Sequence, residues 1–284
     1  MEYTFSLTAG KRMAIIKGGK NAGRIIYLYD KKHLCCGECK KKDCKKKCCD
    51  NCCYKFYHKR DEREKDTLNI VLEEGEHFEE LPTNDPNQVS IDFISGRAGS
   101  GKSFYLKQVI LNYKKIYPEN KVYLFSESKS DKVLDDIVKR IPLDKFAEES
   151  DLTWDKFDDC VFVCFDDIDQ LENSRENNYL RKKLYHLMNS LIQNARKKHI
   201  QIAQTAHIAT DGATTKVILN SASNIIIFLN SISMQHKRMM KDYLGISKEN
   251  IKKILNMKGR WVCIFTCVPM CIMGEHEIYI LNNK

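Results

Sequence analysis

Short apolar runs alternate with amphipathic stretches along most of the chain, and this rhythm begins near residue 88. Val89 to Ser95, Lys121 to Ser126, Val161 to Phe165, Ile200 to Thr205 and Ile225 to Leu229 are short and β-prone, which predicts buried strands. Between the first two, Leu106, Val109, Ile110, Tyr113 and Ile116 recur at helical spacing, and Pro118 stops that helix. Val133 to Ile141 reads as a short helix. Leu180, Leu184, Leu187, Met188, Leu191, Ile192 and Ala195 form the apolar stripe of a long helix, with Arg181, Lys182 and Lys183 off it. Strands separated by helices predict parallel pairing, because parallel neighbours need crossover connections. Trp261 to Val268 and Glu277 to Leu281 predict two antiparallel strands at the sheet edge. The expected class for residues 88–284 is therefore α/β, a mostly parallel sheet flanked by helices.

Residues 1–87 follow a different pattern. Met13 to Ile16 and Ile25 to Tyr29 are β-prone and flank the turn-rich Lys17 to Gly23, which predicts a β-hairpin. Cysteines then alternate with lysine triplets from Cys35 to Cys53, and the basic run Lys55 to Arg60 follows. The acidic stretch Glu73 to Pro86 reads as a linker or loosely packed insertion.

Composition narrows the classes. The formal net charge of +9 favours polyanionic partners. No apolar run approaches the roughly 18 residues that a membrane helix needs. The N-terminal MEYTFSLTAGKRM lacks the basic start and apolar stretch of a signal peptide, so the expectation is a protein that is not secreted. In a reducing compartment its 13 cysteines read as metal ligands or buried small hydrophobes rather than disulfides.

The strand Val89 to Ser95 ends at Gly96-Arg97-Ala98-Gly99-Ser100-Gly101-Lys102-Ser103, spaced G-x4-G-K-S and followed by Phe104 and a helix. The glycines let backbone N–H groups turn inward around phosphate oxygens, and the helix adds its positive end. Lys102 is expected to reach the β- and γ-phosphates of ATP, and Ser103 to place its hydroxyl on Mg²⁺. This strand–loop–helix context predicts a P-loop NTPase with a RecA-like sheet. Val161 to Phe165 ends in Asp166-Asp167. Asp166 is expected to hold the Mg²⁺ shell. Asp167 is expected to point elsewhere, by strand alternation, and to polarise the attacking water. Asp169 is a weaker competitor. The strand Ile200 to Thr205 offers Gln204, Thr205 and, past its end, His207 as γ-phosphate sensors.

The GRAGSGKS loop, VFVCFDD, and the helix running into Asn194-Ala195-Arg196-Lys197-Lys198-His199-Ile200 and on to Gln204-Thr205-Ala206-His207 together resemble the FtsK–HerA superfamily. Within it they resemble the genome-packaging ATPases of large DNA viruses and virophages. The resemblance covers roughly Val89 to Leu281. It implies an ATPase ring that pulls double-stranded DNA into a capsid, with capsid proteins as partners, working at a viral assembly site in the host cytoplasm or in the virion. His207 takes the family's sensor-glutamine position. Arg196 falls on the family's arginine, which can complete a neighbour's site; Arg181 and Arg175 are other candidates.

Cys35, Cys36, Cys39, Cys44, Cys48, Cys49, Cys52 and Cys53 lie within nineteen residues. The pairs Cys36/Cys39 and Cys49/Cys52 have the spacing of a tetrahedral Zn²⁺ site, and metal would supply the stability that so small a segment lacks. Cys160, Cys164, Cys263, Cys267 and Cys271 read as core. Two other readings remain open: a P-loop kinase, disfavoured by the second aspartate, and a zinc-containing nucleic-acid-binding protein whose P-loop does not hydrolyse.

Overall fold

The computed structural model describes residues 2–31, 63–84, 88–148, 152–171, 174–210 and 212–281. The Zn²⁺ pairs expected at Cys36/Cys39 and Cys49/Cys52 lie outside them.

Strands β1 (Tyr3–Ser6), β2 (Lys11–Lys17), β3 (Ile25–Asp30), β4 (Asn69–Val71) and β5 (His77–Glu80) come first. An antiparallel four-stranded sheet runs β1-β3-β2-β5 and contains the expected hairpin. Its turn needs glycine: a Cβ on Gly18, at φ 70°, would sit 2.3 Å from the Gly75 carbonyl oxygen. The stretch expected as a linker is instead built into the fold. β5 alternates, with Phe78 and Glu80 buried and His77 and Glu79 half-buried, and Glu76 Oε1 accepts from the Asn21 backbone and side-chain amides at 2.8 and 3.0 Å. Lys31 pairs with Asp66, and Phe5 N–H donates to the Thr67 carbonyl at 2.7 Å. The described chain thus leaves this sheet at Lys31 and rejoins it at Asp66, beside the same strand.

The second part carries β6 (Ile91–Ser95), α1 (Lys102–Ile116), β7 (Val122–Ser126), β8 (Lys139–Ile141), α2 (Leu143–Glu148), β9 (Phe162–Asp166), α3 (Arg175–Lys198), β10 (Gln201–Ala206), α4 (Gly212–Ser221), β11 (Asn224–Phe228), α5 (Met234–Arg238), α6 (Lys248–Leu255), β12 (Trp261–Phe265), β13 (Cys271–Gly274) and β14 (Glu277–Ile280). These strands join β4 in one sheet of ten, ordered β4-β14-β13-β12-β11-β6-β10-β9-β7-β8. From β11 to β8 the neighbours are parallel; from β11 to β4 they are antiparallel. This is a mixed α/β sheet, parallel over most of its strands, which fits the expected class.

Two expectations need correction. The antiparallel edge has four strands rather than two: β12, β13, β14 and, from the first part of the chain, β4. Cys271–Gly274 begins just after Pro269 and ends on Gly274, residues that read as turn formers in the sequence. Val133 to Ile141 is a set of turns and a strand rather than a helix. Asp131 Oδ1 accepts from Val133 N–H at 2.6 Å, and Asp135 Oδ2 accepts from Asp131 N–H at 2.7 Å, local bonds that hold the segment in turns. Arg140 then holds Asp135 and the Ser128 carbonyl, which leaves Lys139 to Ile141 to pair with β7.

The sheet separates two cores. On β9, Val163 and Phe165 face one and Phe162 and Cys164 the other, the period of two that strand geometry imposes. The first core packs Leu184, Leu187, Met188 and Leu191 of α3 on the sheet. The second packs Leu106, Val109, Ile110 and Tyr113 of α1, together with Met13, Ile26 and Phe78 of the small sheet. The predicted α3 stripe is buried as expected. Ser174 caps it, its hydroxyl accepting from Asn177 N–H, and Arg196, Lys197 and Lys198 sit at its negative end. Cys164, Cys263 and Cys271 are buried; Cys160, expected in the core, is exposed.

α1 ties the two sheets together through a sealed polar cluster. Tyr105 O–H donates to Glu80 Oε2 at 2.7 Å. The Asn224 amide faces Glu80 Oε1 and lies 2.8 Å from Asp92 Oδ1, to which Ser90 O–H also donates at 2.6 Å. Burial, then the nearby Asp92, pushes the Glu80 carboxyl well above the usual range. Burial pushes Asp92 to about 6 against the bonds from Ser90 and Asn224.

Candidate functional site

The loop Gly96 to Gly101 lies at the C-terminal end of β6, where an open parallel sheet places its ligands. Gly99 and Gly101 have φ of 72° and 108°, backbone that side-chain-bearing residues rarely adopt. A Cβ on Gly96 would meet Ser100 Oγ at 2.6 Å and Phe228 and Ser231 at 3.1 Å. The loop is thus walled on one side by the residues that follow β11. Arg97, Ala98 and Gly99 are exposed, and Phe104 is 59% exposed on the first turn of α1. Lys102 is only 5% exposed; its Nζ donates to the Gly96 carbonyl at 3.0 Å and lies 3.4 Å from Asp167 Oδ1.

β10 lies between the loop strand β6 and the aspartate strand β9, so it delivers its end to both. Thr205 uses that position. Its hydroxyl is 2.7 Å from Asp166 Oδ1 and 2.9 Å from Asp167 Oδ1, and it accepts from Asp167 N–H at 2.9 Å. Ser126, at the end of β7, donates to Asp166 Oδ2 at 3.2 Å. Burial, then the charge of Asp167, raises the Asp166 pKa, while the bonds from Thr205 and Ser126 oppose the rise.

Asp167 was expected to point away from Asp166. Its φ of 49° breaks the strand alternation and turns its carboxylate back into the same cluster. His207 Nε2 donates to Asp167 Oδ2 at 2.9 Å. Asp169 plays a supporting part: its Oδ2 accepts from the backbone N–H groups of His207 and Ile208 at 2.9 and 3.4 Å, which fixes the turn that presents the imidazole. Lys102, Asp166, Asp167, Thr205 and His207 therefore converge beside the loop.

Gln204 does not join them. It faces the α3 core between Phe165 and Phe93, fully buried, and neither amide atom has a partner among the described residues. Period-two alternation forbids Gln204 and Thr205 from sharing a face, so the sensor expectation at Gln204 is withdrawn. Arg196 does not join them either. It lines a cleft with Lys11, Gln88 and Ser223, at the end of the sheet opposite the loop. Arg181 donates to Asn178 on α3.

The donor set fits a nucleotide with Mg²⁺. Ser103 and Asp166 offer hard oxygens at the loop and beside it, of the kind Mg²⁺ takes, and the Lys102 ammonium stands at the loop against the Gly96 carbonyl. Among the described residues no group of three or more His, Cys, Asp or Glu is arranged to hold a further metal, and no helix is long and apolar enough to cross a membrane.

Sequence reasoning missed Ser126 and the wall behind the loop. His236, on α5, is buried; its Nε2 is 3.2 Å from the hydroxyl of Ser95, the residue before Gly96. Burial, then the charge of Arg97, lowers its pKa to about 4, so it is neutral near pH 7. A histidine 141 residues beyond Ser95 carries no local signal of that contact.

No protein-family model matches the chain. The uncharacterized protein V3 of the Sputnik virophage is 32% identical over 219 residues, which cover 76% of this chain and 86% of that protein. Among solved structures, the chain is similar to the genome packaging NTPase B204 of Sulfolobus turreted icosahedral virus 2 in complex with ATP-gammaS, at 16% identity and TM-score 0.44, over 69% of this chain and 100% of that one. It is also similar to the pCW3 conjugation coupling protein TcpA, at 15% identity and TM-score 0.47, over 95% of this chain and 77% of that one.

Proposed function

The chain belongs to the family of protein V3 of the Sputnik virophage, and from that premise we propose that it is a viral P-loop ATPase of FtsK–HerA type, an ATP-driven motor that moves double-stranded DNA into a capsid. The observation that carries hydrolysis is the second carboxylate. Asp167 sits 3.4 Å from Lys102 and is held by Thr205 and His207, a water-activating group on a rigid mount.

The roles follow from the geometry. The loop N–H groups bind the phosphates of ATP. Lys102 exchanges the Gly96 carbonyl and Asp167 for the β- and γ-phosphate oxygens, which frees Asp167 to orient a water and take its proton. His207 holds Asp167 in place and senses whether the γ-phosphate is present. Mg²⁺, held by Ser103 and Asp166, supplies charge neutralisation at the phosphates when bound. Arg196 lies too far from its own loop to act there, which supports a role only on a neighbour's site in a ring. The excess of basic side chains suits a DNA track. The working place is the viral assembly site, with self-copies and capsid proteins as further partners.

Steady-state ATPase measured with and without double-stranded DNA, alongside oligomer mass, tests this reading. DNA-stimulated turnover by an oligomer is expected. Absence of stimulation in every oligomeric state overturns the DNA motor, and absence of any turnover overturns the ATPase.

A further inference from the structure

The short helix α5 has two faces of different chemistry. Its inner face carries His236, which bonds Ser95 one residue before the loop and also closes the helix cap: Ser233 O–H lies 2.8 Å from His236 Nδ1. Its outer face opens on a groove of about 520 Å³ between α5, the widened helical turn Met239–Tyr243 and α6. Lys237, Arg238, Lys241 and Lys248 line that groove, and all four are exposed. Its one acidic lining residue, Asp242, is 3.8 Å from Arg238. No described carboxylate forms an ion pair with Lys237, Lys241 or Lys248. Cations without acidic partners at a surface repel one another, an arrangement that favours a polyanion.

The groove also lies in a telling place. α5 follows β11, whose last residue Phe228 packs under Gly96, so the groove opens at the nucleotide end of the sheet. The helical turn that widens at Met239–Tyr243 is anchored inward by buried Met239 and Met240 and presents Lys241 outward. Widened turns of this kind recur at functional sites.

We propose that this groove binds the phosphate backbone of double-stranded DNA, and that α5 passes the load to the phosphate loop through His236 and Ser95. The proposal rests on the DNA-motor reading above. It requires no base contact, because point-charge lysines read phosphate rather than sequence.

The test uses the full chain with Lys237, Arg238, Lys241 and Lys248 all changed to alanine, and duplex DNA binding followed by fluorescence anisotropy over a salt series. A control variant removes four exposed lysines elsewhere, Lys145, Lys156, Lys182 and Lys216, on α2, α3, α4 and the 152–161 turn. Each phosphate contact contributes a slope of about 0.9 to log K against log salt, so the groove variant is expected to lose roughly 3 to 4 units of slope and its DNA stimulation of turnover. Its basal ATPase is expected to stay within about twofold of wild type, which also reports intact folding. Wild-type slope in the groove variant, or an equal loss in the control, overturns the groove. If the wild-type chain itself binds no duplex, the motor reading fails first and the groove falls with it.

Discussion

Two carboxylate pairs meet side chains of α1, and their surroundings differ. Asp166 and Asp167 stand at the open end of the parallel strands beside Lys102 and His207. Glu80 and Asp92 are sealed between the sheets among Tyr105, Asn224 and Ser90, with no cation in contact among the described residues. A lysine, a hydroxyl and an imidazole meet the outer pair. The inner pair resists charge because only neutral dipoles meet it. A paired carboxylate is therefore a candidate for chemistry only where something positive, and a route for substrate, reach it.

Substitutions sharpen that contrast. Lys102→Ala is expected to cost about 10³-fold or more in ATP turnover, measured by phosphate release, while the thermal midpoint changes little. Asp167→Asn is expected to lower kcat by about 10²- to 10³-fold with nucleotide affinity within a few fold, measured by turnover and by binding of a non-hydrolysable analogue. Retained turnover would remove Asp167 from its role.

The inner pair predicts the reverse: altered stability and near-normal turnover. The unfolded chain releases the Asp92 proton near pH 4 and the folded chain near 6, so this residue's contribution is complete below the first value and is lost as pH rises through the second. Asparagine does not titrate. The stability of Asp92→Asn relative to wild type should therefore climb between about pH 4 and 6, by up to about 3 kcal/mol, as read by denaturant melts at several pH values. A flat difference would mean that Asp92 is ionised at no cost. The smallest effect is expected at His207→Ala, about tenfold in kcat, with part restored in His207→Gln because the amide can still donate to Asp167. A loss of stability without a loss of kcat would make His207 a structural residue.

The outer pair was legible in the sequence and the inner pair was not, for a physical reason. Gly96 to Ser103 and Asp166-Asp167 are contiguous, and their chemistry depends on spacing that the chain itself supplies. The α3 stripe was legible because its period repeats over four turns. Glu80, Asp92, Tyr105 and Asn224 come from four separated elements, and only folding makes them neighbours. Glu80 was hidden further by the acid-rich run around it, which reads as solvated linker until Phe78 and Glu80 alternate inward. Gln204 shows a different failure: the alternation that puts Thr205 beside Asp166 also excludes its neighbour, an inference available from the strand alone. Asp167 shows the converse, since one left-handed residue defeats the alternation rule.

The junction at Lys31 and Asp66 has a consequence for how the molecule can be taken apart. Both ends of the intervening segment are fastened to the same small sheet, by that ion pair and by the Phe5–Thr67 backbone bond. Joining its two ends by a short flexible turn closes a smaller loop, which is entropically favourable and leaves every described strand its partners. A chain shortened there keeps the strand pairings of both described sheets.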